Sequence, residues 1–394
     1  MNITIENQIK KICEGTASVI PLKDLEKKLL KGIPLNIKLG ADPTAPNLHL
    51  GHVVVLEKLK DLQDLGHQIL FLIGDFTGRI GDPTGKSKTR PPLTEEQIEE
   101  NTKTYISQIG KVLDLSKTKI VYNSAWLDKL TSRDWIRLCS KVTLLQIIER
   151  EDFSKRLSEK TSIGFHELLY PILQAYDSVV LKADIEIGGT DQTFNLMMGR
   201  SLQEEFNQEP QITITMPILE GLDGIQKMSK SLKNDIGLMD TPKDVFGKLM
   251  SISDKMMWKY YLLLLRKTET EIEYIKNSIH PIEAKKNLAY GVIKKYWSEK
   301  EAIEEKKIFE EIFQENIFEN ATVFNCDKNK YNIIDLIVLI DTKLSRSEAR
   351  RLIESGAVSI NKNKILDHKF IYNIIDNDFI KIGKHRIYKI IIDN

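Results

Sequence analysis

The sequence predicts an α/β fold with a predominantly parallel sheet, followed by a helical region and a small α+β unit. Apolar runs of strand length at 37–40 (IKLG) and 68–74 (QILFLIG) each end in glycine and lead through a loop into a helical pattern. Strands that alternate with helical crossovers pair in parallel. From 242 to 319 the strand signals stop, and amphipathic helices with Lys/Glu faces take over. After 331, two helical patterns are followed by short strands.

Taken in order, Val54, Val55, Leu56, Leu59 and Leu62 fall at helical spacing and predict a helix over 53–65. Thr94-Glu95-Glu96-Gln97 has the form of a capping box opening a helix that runs to about 112. Further strands are expected at 119–122, 185–187 and 211–216, the last alternating Ile212 and Ile214 with threonines. The polar stretch 325–330 (NCDKNK) reads as a linker, and strands near 357–361, 379–382 and 386–391 close the chain. The expected domains are therefore 1–240, with a helical insertion at about 124–180 and a loop at 221–240, then a helical domain over 241–324, the linker, and a unit over 331–394.

A chain of 394 residues exceeds one ordinary core, at roughly 100–200 residues per domain. Hydrophobic content of 41% and charged content of 29% are those of a globular protein rather than a disordered one. Glu6, Lys10, Lys11 and Glu14 interrupt the first twenty residues, which argues against a signal peptide, and no apolar run has membrane-spanning length. A cytoplasmic location is the expectation. Cys13, Cys139 and Cys326 form no CxxC pair, so neither a zinc site nor a disulfide framework is expected. The net charge of +1 leaves nucleic-acid binding to be decided by local charge.

Two segments carry chemistry. In residues 40–52 (GADPTAPNLHLGH) a strand ends at Gly40, turns through two prolines, and enters a helix near Leu50 with His49 and His52 at its N-terminal end. Backbone N–H groups there attract anions, imidazoles beside them can donate to phosphate oxygens, and Gly51 permits close approach of a base or ribose. Further on, Lys227-Met228-Ser229-Lys230-Ser231 follows the flexible Gly221-Leu222-Asp223-Gly224. Two lysines three residues apart on such a loop can neutralise charge developing on a polyphosphate. Either segment alone reads equally as a surface turn or a solvated basic loop; their joint occurrence in this order does not.

Together they resemble the class I aminoacyl-tRNA synthetases: the HIGH signature appears as His49-Leu50-Gly51-His52, and KMSKS is Lys227 to Ser231 letter for letter. Residues 170–177 (YPILQAYD) followed by 188–192 (GGTDQ) resemble elements of the bacterial tyrosyl-tRNA synthetases. So do residues 81–86 (GDPTGK), continuing to Arg90, and residues 341–361, which look like the S4-type RNA-binding module at the C-terminus of these enzymes. Tyr170, Gln174 and Asp177, spaced i, i+4 and i+7, share one helix face.

The resemblance implies a Rossmann-like catalytic domain that activates L-tyrosine with ATP and Mg2+, without a prosthetic group or a protein metal cage, and charges tRNA(Tyr). Asp82, Tyr170 and Gln174 would hold the tyrosine ammonium, and Asp177 would accept from its phenol. Lys38 and Asp42 would complete that pocket. Gln192 would meet the adenylate region and Asp191 the ribose, unless Asp191 merely caps the next helix. Gly40, Gly51 and Gly189 would border the nucleotide. Thr44 and His49 would contact the γ-phosphate, His52 would lie near the ribose, and Lys86, Arg90, Lys227 and Lys230 would close over the β and γ phosphates. Arg346, Arg350 and Arg351 would present a basic face to RNA, in a unit with 11 Lys/Arg against 8 Asp/Glu. A homodimer is also implied.

Two positions depart from the family pattern. Lys38 stands where many members carry tyrosine, and Glu186 where glutamine is common. With its stem along the substrate ring, Lys38 is expected to direct its ammonium toward Asp177. Competing readings are a tryptophanyl-tRNA synthetase, a catalytically silent RNA-binding paralogue, and a nucleotidyltransferase acting on a small metabolite.

Overall fold

The computed structural model describes residues 3–82, 94–319, 321–326, 330–342, 344–361, 363–383 and 386–392. Its chain divides into two compact units, Met1–Ile303 and Glu304–Asn394. The first is built on a six-stranded sheet of β1 (Ser18–Ile20), β2 (Asn36–Ala41), β3 (Gln68–Ile73), β4 (Thr118–Tyr122), β5 (Ile185–Gly189) and β6 (Ile212–Met216). The order is β1-β6-β5-β2-β3-β4, parallel except for β1, which runs antiparallel to β6. Helices cover the sheet, so strands such as β3 and β6 are buried along nearly their whole length and read as continuous rather than alternating runs.

From β2 the order runs outward through β3 and β4 on one side and through β5 and β6 on the other. Between β2 and β5 the crossovers therefore diverge, leaving a crevice beyond the carboxyl ends of both strands, where open α/β sheets bind ligands. The helix Leu50–Asp64 follows β2, and Thr193–Glu205 follows β5. Both begin beside that crevice.

The helices from Pro242 onward grip the supports of the site. Arg266 forks onto Asp61 with two bonds of 2.6 Å, and Lys295 pairs with Glu57 at 2.9 Å; both carboxylates lie on the Leu50–Asp64 helix. Tyr296 also donates to Glu57, at 2.9 Å. Lys259 pairs with Glu220 at 2.6 Å, while the Tyr260 hydroxyl donates to the Glu220 carbonyl at 2.7 Å, just before the loop that carries Lys227.

Within the second unit, β7 (Thr322–Cys326), β9 (Val358–Ile360), β10 (Asn363–Lys364), β12 (Phe379–Ile382) and β13 (Arg386–Ile392) form a sheet in the order β10-β9-β12-β13-β7. The pair β8 (Lys330–Asn332) and β11 (Ile371–Asn373) lies apart from it, and the helices are Ile333–Ile340 and Arg346–Glu354. The expected linker is corrected here: Asn325 and Cys326 are strand residues paired with Ile391 and Ile392, and Cys326 is buried in this unit's core. β1 also went unforeseen, because three residues are too short to show a period.

Candidate active site

Leu50 opens its helix as expected, with His49 at the N-cap. The backbone N–H of His49 donates to Nδ1 of His52 at 3.2 Å, so the neutral His52 ring carries its proton on Nε2. Burial pushes His52 down to about 4, and burial together with the neighbouring His52 holds His49 well below the usual histidine range. Nδ1 of His49 is buried with no hydrogen-bond partner among the described residues. Both imidazoles are thus uncharged hydrogen-bonding groups at a helix N-terminus.

The second lysine-bearing segment is laced to the first. Leu50 N–H donates to Ile236 O and Leu238 N–H to Leu48 O, both at 2.9 Å. Met228 is buried against Gly51: a Cβ at 51 would lie 3.5 Å from the Met228 Cβ and 3.0 Å from the His49 ring. Asn234 organises the lysine loop, accepting from Ser229 N–H at 2.8 Å and donating to Asp223 at 2.7 Å and to the Lys227 carbonyl at 3.2 Å. Lys227 reaches Asp191 at 2.8 Å, whereas Lys230 makes no ion pair with a described residue and burial lowers its pKa. The side chain of Asp191 therefore bonds a lysine, and the N-cap of the next helix is Gln192, which removes the capping alternative.

Beyond β2 and β5 lies a cluster of carboxyl groups, Asp42, Asp82 and Asp177. Asp42 accepts from Thr77 at 2.7 Å and from the Tyr170 hydroxyl at 2.8 Å. Burial pushes Asp42 up to about 7, opposed by Thr77 and reinforced by the charge of Asp82. Asp82 accepts from Gln192 at 2.9 Å, and Asn195 fixes the other end of that amide at 2.8 Å. Asp177 is 2% exposed and accepts from Trp126 Nε1 at 2.8 Å and from Asn123 at 3.3 Å. Burial raises Asp177 to about 7, with the charge of Lys38 opposing the rise. Tyr170, Gln174 and Asp177 share the helix Phe165–Leu181, as their spacing predicts.

Lys38 corrects the expectation made for it. Its ammonium pairs with Glu186 at 2.9 Å and donates to the Gln174 carbonyl and Ser178 Oγ at 2.8 Å each, rather than touching Asp177. Thr44 donates its N–H to the Asp42 carbonyl at 2.8 Å, within the turn before His49. Gly40 is the penultimate residue of β2, which ends at Ala41, and at Gly189 a Cβ would stand 2.6 Å from the Asp191 carboxylate. Lys86 and Arg90 lie outside the described residues. Sequence reasoning missed Thr77, Asn123, Trp126, Asn195 and Asn234. Only Asn123 carried a signal, one residue past the carboxyl end of β4.

A family model described as class I tRNA synthetases (W and Y) matches residues 31–314, and one for the tyrosine–tRNA ligase SYY-like C-terminal domain matches residues 313–385. The tyrosine–tRNA ligase of Aquifex aeolicus is 48% identical over 390 residues, covering 99% of this chain and 100% of that one. The chain belongs to the tyrosine–tRNA ligases. Tyrosine–tRNA ligase 2 of Clostridium acetobutylicum is 47% identical, covering 99% of each chain. The crystal structure of the Archaeoglobus fulgidus tyrosyl-tRNA synthetase with L-tyrosine shares the fold, with a TM-score of 0.63 at 22% identity, over 77% of this chain and 100% of that one. Membership makes the chain an aminoacyl-tRNA ligase that uses ATP as a substrate, and the C-terminal match and full-length relatives set the tryptophanyl reading aside.

Proposed function

We propose that the acidic pocket beyond β2 and β5 binds L-tyrosine and that the cleft between His49, His52 and the 227–231 loop binds ATP, the two meeting at the α-phosphate. The observation that supports this reading is the backbone lacing of Leu50 to Ile236 and of Leu48 to Leu238, which holds the segment of His49 and His52 beside the chain that follows Lys227 and Lys230. The tyrosine carboxylate attacks the α-phosphate in line and pyrophosphate leaves, giving tyrosyl-adenylate; a 3′-terminal hydroxyl of tRNA(Tyr) then takes the tyrosyl group and AMP leaves. No covalent enzyme intermediate is needed, so catalysis is positioning and electrostatics.

In this reading Asp82, Tyr170 and Gln174 take the substrate ammonium, and Asp42 orients Tyr170. Asp177, held by Trp126 and Asn123, accepts from the phenol. Asp191 exchanges Lys227 for the ribose hydroxyls, Gln192 borders the adenylate, and Gly40, Gly51 and Gly189 leave room for it. Thr44 and His49 meet the γ-phosphate, with the unpartnered His49 Nδ1 gaining a phosphate partner. His52 lies near the ribose, and Lys227, Lys230, Lys86 and Arg90 draw charge onto pyrophosphate. In this reading Mg2+ enters with the nucleotide phosphates.

The Arg346–Glu354 helix presents Arg346, Arg350 and Arg351 as exposed residues, which suits contact with RNA phosphates. Arg346 pairs with Asp335, and Arg350 with Glu354 at 2.8 Å, so both would exchange partners on binding. Large apolar side chains exposed in the insertion, Ile136, Leu144, Leu145 and Phe165, favour a homodimer contact there. Among the described residues no helix is long and apolar enough to cross a membrane. ATP–pyrophosphate exchange with each of the twenty amino acids tests the reading. Exchange with tyrosine alone supports it, and none with tyrosine refutes it.

A further inference from the structure

Lys38 and Glu186 are register partners across β2 and β5, and their side chains are 0% and 1% exposed. Lys38 spends all three ammonium hydrogens, on Glu186 Oε1 at 2.9 Å and on the Gln174 carbonyl and Ser178 Oγ at 2.8 Å each. None is left for a ligand. Glu186 Oε2 accepts from Ser178 Oγ at 3.0 Å and from Gln211, while its Oε1 also accepts from Gln174 Nε2 at 3.2 Å. Gln174 is thereby held twice, by its backbone carbonyl and by its side-chain nitrogen. Its Oε1 has no hydrogen-bond partner among the described residues.

We propose that the Lys38–Glu186 pair is a positioning device for Gln174, fixing its amide so that the carbonyl oxygen faces the amino-acid ammonium. This rests on the reading that Gln174 meets that ammonium. The two ends of a side-chain amide have nearly the same shape, so packing alone does not choose between them. A carboxylate chooses: it only accepts, and therefore draws the NH2 end. Lys38 supplies the opposite charge that lets a carboxylate exist in that buried place, and it anchors the backbone of the residue being oriented. With a group at 186 that can also donate, the amide can turn over and present two N–H donors to the ammonium. The pair thus orients the group at the ammonium end of the substrate; at Asp177 the charges of Lys38 and Glu186 act in opposite senses, so removing both together leaves the phenol end nearly unchanged.

Equilibrium binding of L-tyrosine and of 3-(4-hydroxyphenyl)propionate, which lacks the ammonium, to the full-length protein tests this. In Glu186→Gln, and in the charge-balanced Lys38→Met/Glu186→Gln, tyrosine should weaken by about 10-fold or more while the des-amino analogue stays within about twofold. In the charge-balanced variant the tyrosine-to-phenylalanine ratio in kcat/KM should not move. Adding Gln174→Glu to Glu186→Gln should restore tyrosine binding, because a carboxylate offers an acceptor in either orientation. Equal weakening of both ligands, or unchanged tyrosine binding, overturns the proposal. If Glu186→Gln does not fold, the charge-balanced double variant decides by the same criteria. Gln174→Leu separates the two layers. Should it weaken both ligands alike, Gln174 does not meet the ammonium and the underlying reading fails; should it lose tyrosine selectively while the Glu186 variants do not, only the positioning role falls.

Discussion

The backbone N–H of His49 donates to Nδ1 of His52, which fixes the tautomer of a ring whose other nitrogen is free to donate to a ligand. His52 is depressed to about 4, so no imidazolium forms over the working pH range. We expect His52→Ala to slow adenylate formation by roughly 10²-fold, the scale for one donor aimed at developing charge. Between pH 5.5 and 8 the residual rate should not acquire a new ionisation. Pre-steady-state rates measured across that range check this, and a wild-type limb near 6.5 that disappears in the variant would contradict the neutral ring.

Lys230 makes no ion pair with a described residue, while Lys227 rests on Asp191. Lys230→Ala should lower the rate of adenylate formation by orders of magnitude and leave the tyrosine dissociation constant within about twofold, because the lysine meets charge that exists only as pyrophosphate leaves. Single-turnover kinetics with parallel tyrosine titrations separate the two. Equal losses in both would assign Lys230 to ground-state structure.

How much of this was legible follows from the kind of signal each residue emits. The strands β2 to β6, the Leu50 helix and the shared face of Tyr170, Gln174 and Asp177 were readable because period and spacing are local properties. Lys38 and Glu186 were each visible as departures, yet not as partners, since they are about 150 residues apart and meet only through the register of β2 on β5. Trp126 and Asn123 likewise serve Asp177 from 51 and 54 residues away, with no local spacing to announce them. Asn325 and Cys326 looked like the start of a linker because the partner of their strand, β13, is the last strand of the chain.

Asp42 and Asp177 both stand near 7 in the free protein, burial being the first cause. Their folded-state pKa is raised, so between the ordinary carboxylate range and about 7 the folded chain holds more protons than the unfolded one. Stability therefore falls as pH rises through that window. A substrate ammonium near Asp42 favours its charged form, so tyrosine binding at pH 6.5 should release protons, and at pH 8.5 it should release few. Calorimetry in buffers of different ionisation enthalpy reads the number directly; proton uptake at pH 6.5 would contradict the assignment.

The position of β7 sets where the C-terminal unit can be removed. A chain ending near residue 330 leaves β7 without β13, whereas one ending at 320 keeps the Glu299–Glu319 helix and removes the whole sheet. The shorter chain should retain ATP–pyrophosphate exchange within about threefold and charge tRNA at least about 10-fold more slowly, as expected when phosphate contacts are lost. Collapse of exchange in a folded truncation would place part of the catalytic machinery in the second unit.

Asp177 tests the account most directly, because the pocket beyond β2 and β5 is a tyrosine site only if something there reads the phenol. A site built to hydrogen-bond a hydroxyl rejects the analogue lacking it, since its own polar groups are left buried and unpaired. Tyrosyl-tRNA synthetase is itself the standard example, at about 10⁵-fold without editing. The measurement is kcat/KM for tyrosine and phenylalanine in ATP–pyrophosphate exchange, in the wild type and in Asp177→Ala. We expect tyrosine to lose far more than phenylalanine, compressing their ratio by at least about 10²-fold. If the ratio survives in an Asp177→Ala protein that still folds, the phenol is read elsewhere and the pocket has been assigned to the wrong residues.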